Sequence, residues 1–179
     1  GHNDLGMATA NAVTAVDAGA DAISVTVNGL GERAGNSPLE EVVMALFEVG
    51  GYKKEIRTGL LSELCRFVAG ASGRTISPDK PIVGSRIFSH ESGIHCSGLL
   101  RNPDSYQLFN PGTVGNSGCE YVIGYHSGAA AIAHALEKQG IAVSKKTAGK
   151  LIPHVRKKAL EQKRELSPEQ VKLIYEHSR

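Results

Sequence analysis

Three stretches of this sequence gather side chains able to do chemistry. His2-Asn3-Asp4, followed by Gly6 and a run of small residues, offers an imidazole, an amide and a carboxylate in succession. Taken alone, a histidine ahead of a helix caps it or faces solvent more often than it binds a metal. The second stretch, Thr26 to Asn36, changes that balance: Gly29, Gly31 and Gly35 bracket Glu32, Arg33 and Asn36, with Asn28 just before them. Glycines let a backbone approach a ligand closely, and a helix opening near Ser37 presents free N–H groups to an anion. A structural turn seldom needs so many distinct polar groups. The third stretch runs from Phe88 to Arg101, with Tyr106 close behind, and holds His90, Glu91 and His95. Its His-Glu-Ser-Gly-Ile-His spacing is not that of a helical zinc motif, and Gly93 argues against one continuous helix, so this stretch by itself is not expected to bind metal.

The elements that position these groups follow from periodicity. Leu5 to Gly19 carries apolar and small residues at helical spacing up to a glycine stop, which reads as a tightly packed helix. Ala22 to Val27 is rich in β-branched residues and reads as a buried strand running into the glycine loop. Ser37-Pro38-Leu39-Glu40 has the form of a capping box, with a helix through Val42, Val43, Leu46 and Phe47 behind it. The order loop, helix, strand, loop, helix is the end of a βα array, in which polar residues collect at the C-terminal ends of parallel strands. His2 and the Glu32 to Asn36 loop would share that face. Further helical periodicity runs from Leu60 to about Gly73. Ser77 to Gly128 is rich in Gly, Pro, Ser and Asn and reads as a linker with an irregular subdomain. Helices are expected over Ser127 to Lys138 and over Ser144 to Arg164, the latter perturbed at Pro153, and Ser167-Pro168-Glu169-Gln170 is a capping box opening a last short one. The expected division is 1–76, 77–128 and 129–179.

The bulk properties exclude several classes. A net charge of +2 is too small to suggest nucleic-acid binding, and the basic residues of the C-terminal helices are interleaved with acidic ones. No apolar run approaches the eighteen or so residues of a membrane span. Cys65, Cys96 and Cys119 are odd in number and widely spaced, as in a reducing cytoplasmic compartment. One βα unit and a stub cannot close a barrel of about 250 residues, so the remaining units are expected from elsewhere, in a longer chain or a partner.

His2-Asn3-Asp4-Leu5-Gly6-Met7-Ala8-Thr9-Ala10 resembles the second half of the H-x-H-[DN]-D-x-G signature of the isopropylmalate/homocitrate synthase family. Asn28 to Asn36 resembles the loop after that family's last barrel strand, and Phe88 to Arg101 its linker subdomain. The phrase from Thr26 to Leu46, with Ala71-Ser72-Gly73-Arg74, looks most like the homocitrate synthases of nitrogen fixation. The resemblance implies an α/β fold: the C-terminal portion of a (β/α)8 TIM barrel, then a mainly helical linker region. It implies an acyltransferase that condenses acetyl-CoA with a 2-oxo acid, 2-oxoglutarate favoured, to give homocitrate and CoA. Isopropylmalate or citramalate synthesis, or a non-catalytic C-terminal subunit needing a partner chain, are the alternatives. A metal-dependent aldolase or lyase would share the first motif but not the linker subdomain.

By position the resemblance makes His2 and Asn36 ligands of a divalent metal (Zn, Mg, Mn or Co), the signature's first histidine falling immediately before Gly1. It makes His95 and Tyr106 the groups acting on acetyl-CoA and Glu32 a further catalytic residue. Asn28, Gly29, Arg33 and Asp4 become substrate-binding or orienting groups. Glu91 orients a histidine or forms a structural ion pair. Ser97 stands where relatives usually have Asp, and Tyr125 where Lys is usual. The assembly implied is a homodimer that exchanges the Pro81 to Gly128 segment over its neighbour's barrel mouth, or a hetero-assembly with an N-terminal half chain.

Overall fold

The computed structural model describes residues 1–52, 56–90, 107–116 and 120–178. His95, Tyr106, Glu91 and Ser97 fall outside them. The chain forms two compact units, one made of Gly1–Ile87 with Leu108–Gly118 and the other of Phe88–Gln107 with Cys119–Arg179.

In the first unit, helix α1 spans Ala8–Asp17, α2 Leu39–Glu48 and α3 Leu61–Ser72, with 3-10 turns at Val27–Gly29, Thr58–Leu60 and Pro111–Val114. α1 packs against α2, and both α2 and α3 pack against the Val27–Gly29 turn. The interior is small: Val42, Val43 and Met44 of α2 are buried with Leu61 and Cys65 of α3. Contrary to the expected tight packing of α1, only Ala8 and Ala12 of that helix are buried. α3 ends as its sequence requires, on Gly73 at φ 67°. Its apolar residues do not all turn inward: Phe67 is 73% exposed.

Two expectations fail here, for physical reasons. Ala22 to Val27 is not a strand: Thr26 is extended, but Val27 already belongs to the Val27–Gly29 turn. The segment's one ladder contact among the described residues is a parallel bridge between Thr26 and Pro38, and Asp21 to Val25 make no backbone hydrogen bond there. A strand exists only where a neighbour accepts from its N–H groups and donates to its C=O groups, and beyond Pro38 no neighbour is supplied by the described residues. Beside it lies an apolar cleft of about 600 Å³ lined by Ile23, Val25, Val43, Phe47 and Ile56 among others. The Ser37–Glu40 capping box is also absent. α2 begins after Pro38 with no side-chain cap, because both box residues are engaged elsewhere: Ser37 Oγ donates to Ala8 O at 3.0 Å, and Glu40 accepts from a loop amide.

In the second unit, two-residue strands β1 (Ser89–His90) and β2 (Glu120–Tyr121) pair in parallel, Ser89 opposite Glu120. Helices α4 (Ala129–Glu137), α5 (Lys145–Gln162) and α6 (Pro168–His177) follow. They enclose one apolar core in which Ala131, Ile132 and Leu136 meet Leu151, Val155 and Val171. α5 runs through Pro153 without a break; the proline is exposed, and Leu151, Val155 and Ala159 recur at four-residue spacing on the buried side. The Ser167 capping box forms in full, with Ser167 Oγ and the Gln170 side chain each satisfying the other's backbone N–H. Among the described residues no helix is long and apolar enough to cross a membrane.

Candidate functional site

The polypeptide around His2 and the polypeptide around Asn36 lie side by side. Asn3 N donates to Gly35 O and Ser37 N donates to Gly1 O, both at 2.9 Å, so His2 and Asn36 form the antiparallel bridge between those bonds. They are the non-hydrogen-bonded pair of that ladder, the kind whose side chains approach most closely on a shared face. His2 is thereby brought opposite Asn36 from thirty-four positions away in sequence. Upstream of α1 the arrangement is fixed by a turn: Gly6 N donates to Asn3 O at 2.9 Å with Gly6 at φ 71°, and Asn3 Oδ1 accepts from Ala8 N at 3.1 Å, satisfying the open end of α1.

The glycine loop is shaped by contacts that tolerate no side chain. A Cβ on Gly35 would strike Gly29 O, and one on Gly31 would strike the Asn36 side-chain amide. Asn36 N donates to Gly29 O at 3.0 Å and Asn36 Nδ2 to Leu30 O at 3.0 Å. With its nitrogen tied down, the Asn36 amide has its oxygen left as the donor atom for a metal. Asn28 adopts the left-handed conformation at φ 59°, and Arg33 does so at φ 52°.

Arg33 grips Asp4 in a two-pronged ion pair, Nε to Oδ1 at 2.9 Å and the terminal nitrogen to Oδ2 at 3.0 Å. The Arg33 hydrogen bonds hold the Asp4 carboxyl below its ordinary value, with a smaller contribution from His2. This pair locks the loop to the His2 segment. Glu32 lends its carbonyl to Gly35 N at 2.9 Å, while its exposed carboxylate makes no hydrogen bond or ion pair among the described residues. His2, Asp4, Asn28, Gly29, Arg33 and Asn36 are thus brought into one neighbourhood.

A set of residues behind the loop was not assigned from sequence. Glu40, fully buried, accepts from Asn28 N at 3.0 Å, and Lys80 Nζ lies 3.1 Å from carboxylate oxygens of both Glu40 and Glu41. Burial alone would depress the Lys80 pKa, but the two carboxylates more than offset it and raise it. Asn28 Nδ2 donates to Cys65 O at 2.8 Å. Burial, with Glu40 beside it, pushes the Cys65 thiol up to about 12, which leaves it unreactive near neutrality. Thr9 Oγ1 on α1 donates to Glu41 at 2.7 Å. A glutamate in the first turn of a helix looks like a cap in sequence, and a lysine between two prolines looks like a turn; neither type nor spacing announces the partnership.

Among the described residues no three His, Cys, Asp or Glu side chains converge as a metal site. His2 and Asn36 can contribute two ligand atoms on a shared face, and other ligands would have to join them. In the second unit Tyr125, at the position where the resemblance leads one to expect Lys, stacks edge-on to His126 with centroids 5.1 Å apart, and the Arg156 guanidinium lies 5.7 Å from its ring centroid. Arg156 Nε also donates to Tyr125 O at 3.1 Å. Tyr125 therefore has a packing role on α5.

Comparison with known proteins gives a consistent result. Residues 1–68 match the HMGL-like family, and residues 82–164 match the homocitrate synthase post-HMGL domain-like family. Over 175 residues the chain is 50% identical to 2-isopropylmalate synthase 2 of Caldanaerobacter subterraneus, covering 98% of this chain and 45% of that protein. It is 46% identical over 170 residues to homocitrate synthase 1 of a Nostoc species, covering 95% and 45%. It is 48% identical over 139 residues to a putative (R)-citramalate synthase of Methanosphaerula palustris, covering 78% and 28%. The chain spans less than half the length of these curated relatives.

Proposed function

We propose that this chain, which belongs to the family of isopropylmalate, homocitrate and citramalate synthases within the HMGL-like superfamily, carries part of the active site of an acyltransferase that condenses acetyl-CoA with a 2-oxo acid. The observation that carries this reading is the His2–Asn36 bridge under a glycine loop pinned by Arg33 and Asp4. A family model that implies a TIM barrel, a strand-like segment that bridges among the described residues only at Thr26, and the apolar cleft beside it together support the view that further βα units pack against the first unit.

In the proposed reaction a base removes a proton from the acetyl-CoA methyl group, the resulting carbanion bonds to the ketone carbon of the 2-oxo acid, and water then cleaves the thioester to release CoA. An unactivated thioester methyl is a very weak acid, so the base must sit within hydrogen-bond reach of it. His95 is assigned that role and Tyr106 the donation of a hydrogen bond to the thioester oxygen; both assignments rest on the sequence resemblance. A divalent metal bound through His2 and Asn36 would supply positive charge where the ketone oxygen becomes an alkoxide. Arg33 and Asp4 orient the loop, and Glu32, exposed on that loop, is assigned a catalytic role on the sequence resemblance. Homocitrate synthesis from 2-oxoglutarate is the finer proposal. Exchange of the Pro81 to Gly128 segment within a homodimer completes the site.

The test is acetyl-CoA-dependent release of free thiol by the protein containing this chain, with 2-oxoglutarate set against pyruvate and a branched-chain 2-oxo acid. Thiol release with one of them supports the reading, and preference for 2-oxoglutarate supports its finer form. No release with any of them, in a folded protein loaded with divalent metal, would sink it. His95→Ala should lower kcat by roughly 10²–10⁴-fold while leaving metal content unchanged.

A further inference from the structure

The glycine loop depends on a conformation that its own sequence does not favour. Asn28 sits at φ 59°, a region that costs non-glycine residues energy and persists only where surroundings over-determine it. Two hydrogen bonds do so: Asn28 N donates to Glu40 Oε2 at 3.0 Å and Asn28 Nδ2 to Cys65 O at 2.8 Å. The turn at Asn28 directs Gly29 O at Asn36 N, 3.0 Å away, and Asn36 is the residue that bridges to His2. Glu40 therefore stands at the root of a chain of contacts ending at the proposed metal ligands.

The acceptor is itself held from two sides. Glu40 lies in the first turn of α2, where the helix dipole favours a carboxylate. Lys80 approaches Glu40 and Glu41 equally at 3.1 Å. Lys80 belongs to a tight turn in which Gly84 N donates to Lys80 O and Arg86 N to Pro78 O, both at 2.9 Å. A Cβ on Gly84 would meet the Lys80 backbone at 2.6 Å and 2.7 Å, so the turn accepts only glycine there. Glu41 meanwhile holds Thr9 of α1. One ammonium and two carboxylates tie α1, the glycine loop, α2 and the Pro78 to Arg86 turn together.

We propose that Glu40, held in place by Lys80, is a positioning residue of the synthase site: its carboxylate fixes the left-handed backbone of Asn28 and through it sets Asn36 opposite His2. The kinetic part of this assignment rests on the function proposed above, whereas its conformational part does not.

Two double variants separate the hydrogen bond from the charges. Replacing a buried ion pair by apolar groups of similar volume is often neutral for stability, so E40L/K80M should remain folded while losing the acceptor. E40Q/K80M also lacks both charges but keeps an oxygen for Asn28 N. The expected result is that E40Q/K80M retains Asn28 amide protection in hydrogen exchange and stays within about 3-fold of wild-type kcat. E40L/K80M should lose that protection, and kcat and divalent-metal affinity should each fall roughly 10–100-fold, as when the groups orienting a metal ligand are removed. Glu40→Asp, which keeps the charge but withdraws the oxygen, should act in the same direction if the apolar variant does not fold. A folded E40L/K80M or E40D with a protected Asn28 amide would overturn the proposal, as would equal kinetic losses in both double variants. If no variant and no wild-type protein releases CoA, the synthase reading fails and the exchange measurement still decides the positioning.

Discussion

The loop from Asn28 to Asn36 and the helices from Ala129 to His177 are ordered by different physics. In the helical region Ile132, Leu136, Val155 and Val171 are removed from water altogether, and three helices close one core within the chain. Burial of that kind is non-directional and tolerates changes in the surrounding residues. The loop has almost no apolar interior. It is held by a bridge, a two-pronged Arg33–Asp4 pair, side-chain amides on carbonyls and a buried carboxylate beneath Asn28. Directional bonds fix atoms to within tenths of an ångström, which a chemical site requires, but each one depends on a particular partner. The comparison teaches that the helical region is ordered by burial of apolar side chains, whereas the loop where ligands are expected is ordered by polar contacts.

The largest expected effect tests whether the two regions are separable. Leu136→Ala should cost about 2–5 kcal/mol, because the side chain is fully buried in the helical core. Hydrogen exchange should quicken across α4, α5 and α6 and leave the Asn28 and Asn36 amides unchanged; parallel quickening of the loop amides would erase the distinction.

Lys80→Met alone should be next, at about 2 kcal/mol, since it leaves one fully buried and one half-buried carboxylate without their cation. The 15% of the Lys80 side chain that stays exposed keeps the figure below that of a fully buried pair. Loss of protection confined to the glycine loop and the first turn of α2 would sharpen the contrast, and a stability equal to wild type would show that the carboxylates do not need the ammonium.

Ser167→Ala removes one half of the capping box and should cost about 1 kcal/mol, read as fraying of α6 alone. Changes beyond that helix would mean that the cap orders more of the core than its own turn.

The smallest effect concerns Asp4→Asn. Both members of the Asp4–Arg33 pair are about half exposed, so no resolvable change in thermal midpoint is expected. The pH dependence is more informative. Because Arg33 lowers the Asp4 pKa from 3.8, the pair contributes above that unfolded value and is lost as pH falls through the lower folded one. Exchange protection of the loop should therefore differ between wild type and D4N at neutral pH and converge only below about 3.8. Convergence near neutrality would show that the pair does not hold the loop.

Much of this was legible in the residues. The α3 stop at Gly73, the run of α4, α5 and α6, the Ser167 capping box and the crowding of polar groups around Gly29 to Asn36 are local features, encoded by spacing and by the conformations glycine alone accepts. The family followed from the same short stretches. Sequence erred where one residue type has two uses. Ser37 and Glu40 have the spacing of a cap, yet tertiary neighbours offered each a stronger partner, Ala8 O for one and Asn28 N with Lys80 for the other. Ala22 to Val27 has the composition of a strand, yet strand identity lies in the neighbour and not in the segment, and among the described residues only Pro38 bridges to it. The pairing of His2 with Asn36 and the Lys80 link between Glu40 and Glu41 join positions far apart in the chain. Such contacts come from the way the helices and turns pack, which no local pattern of residues records.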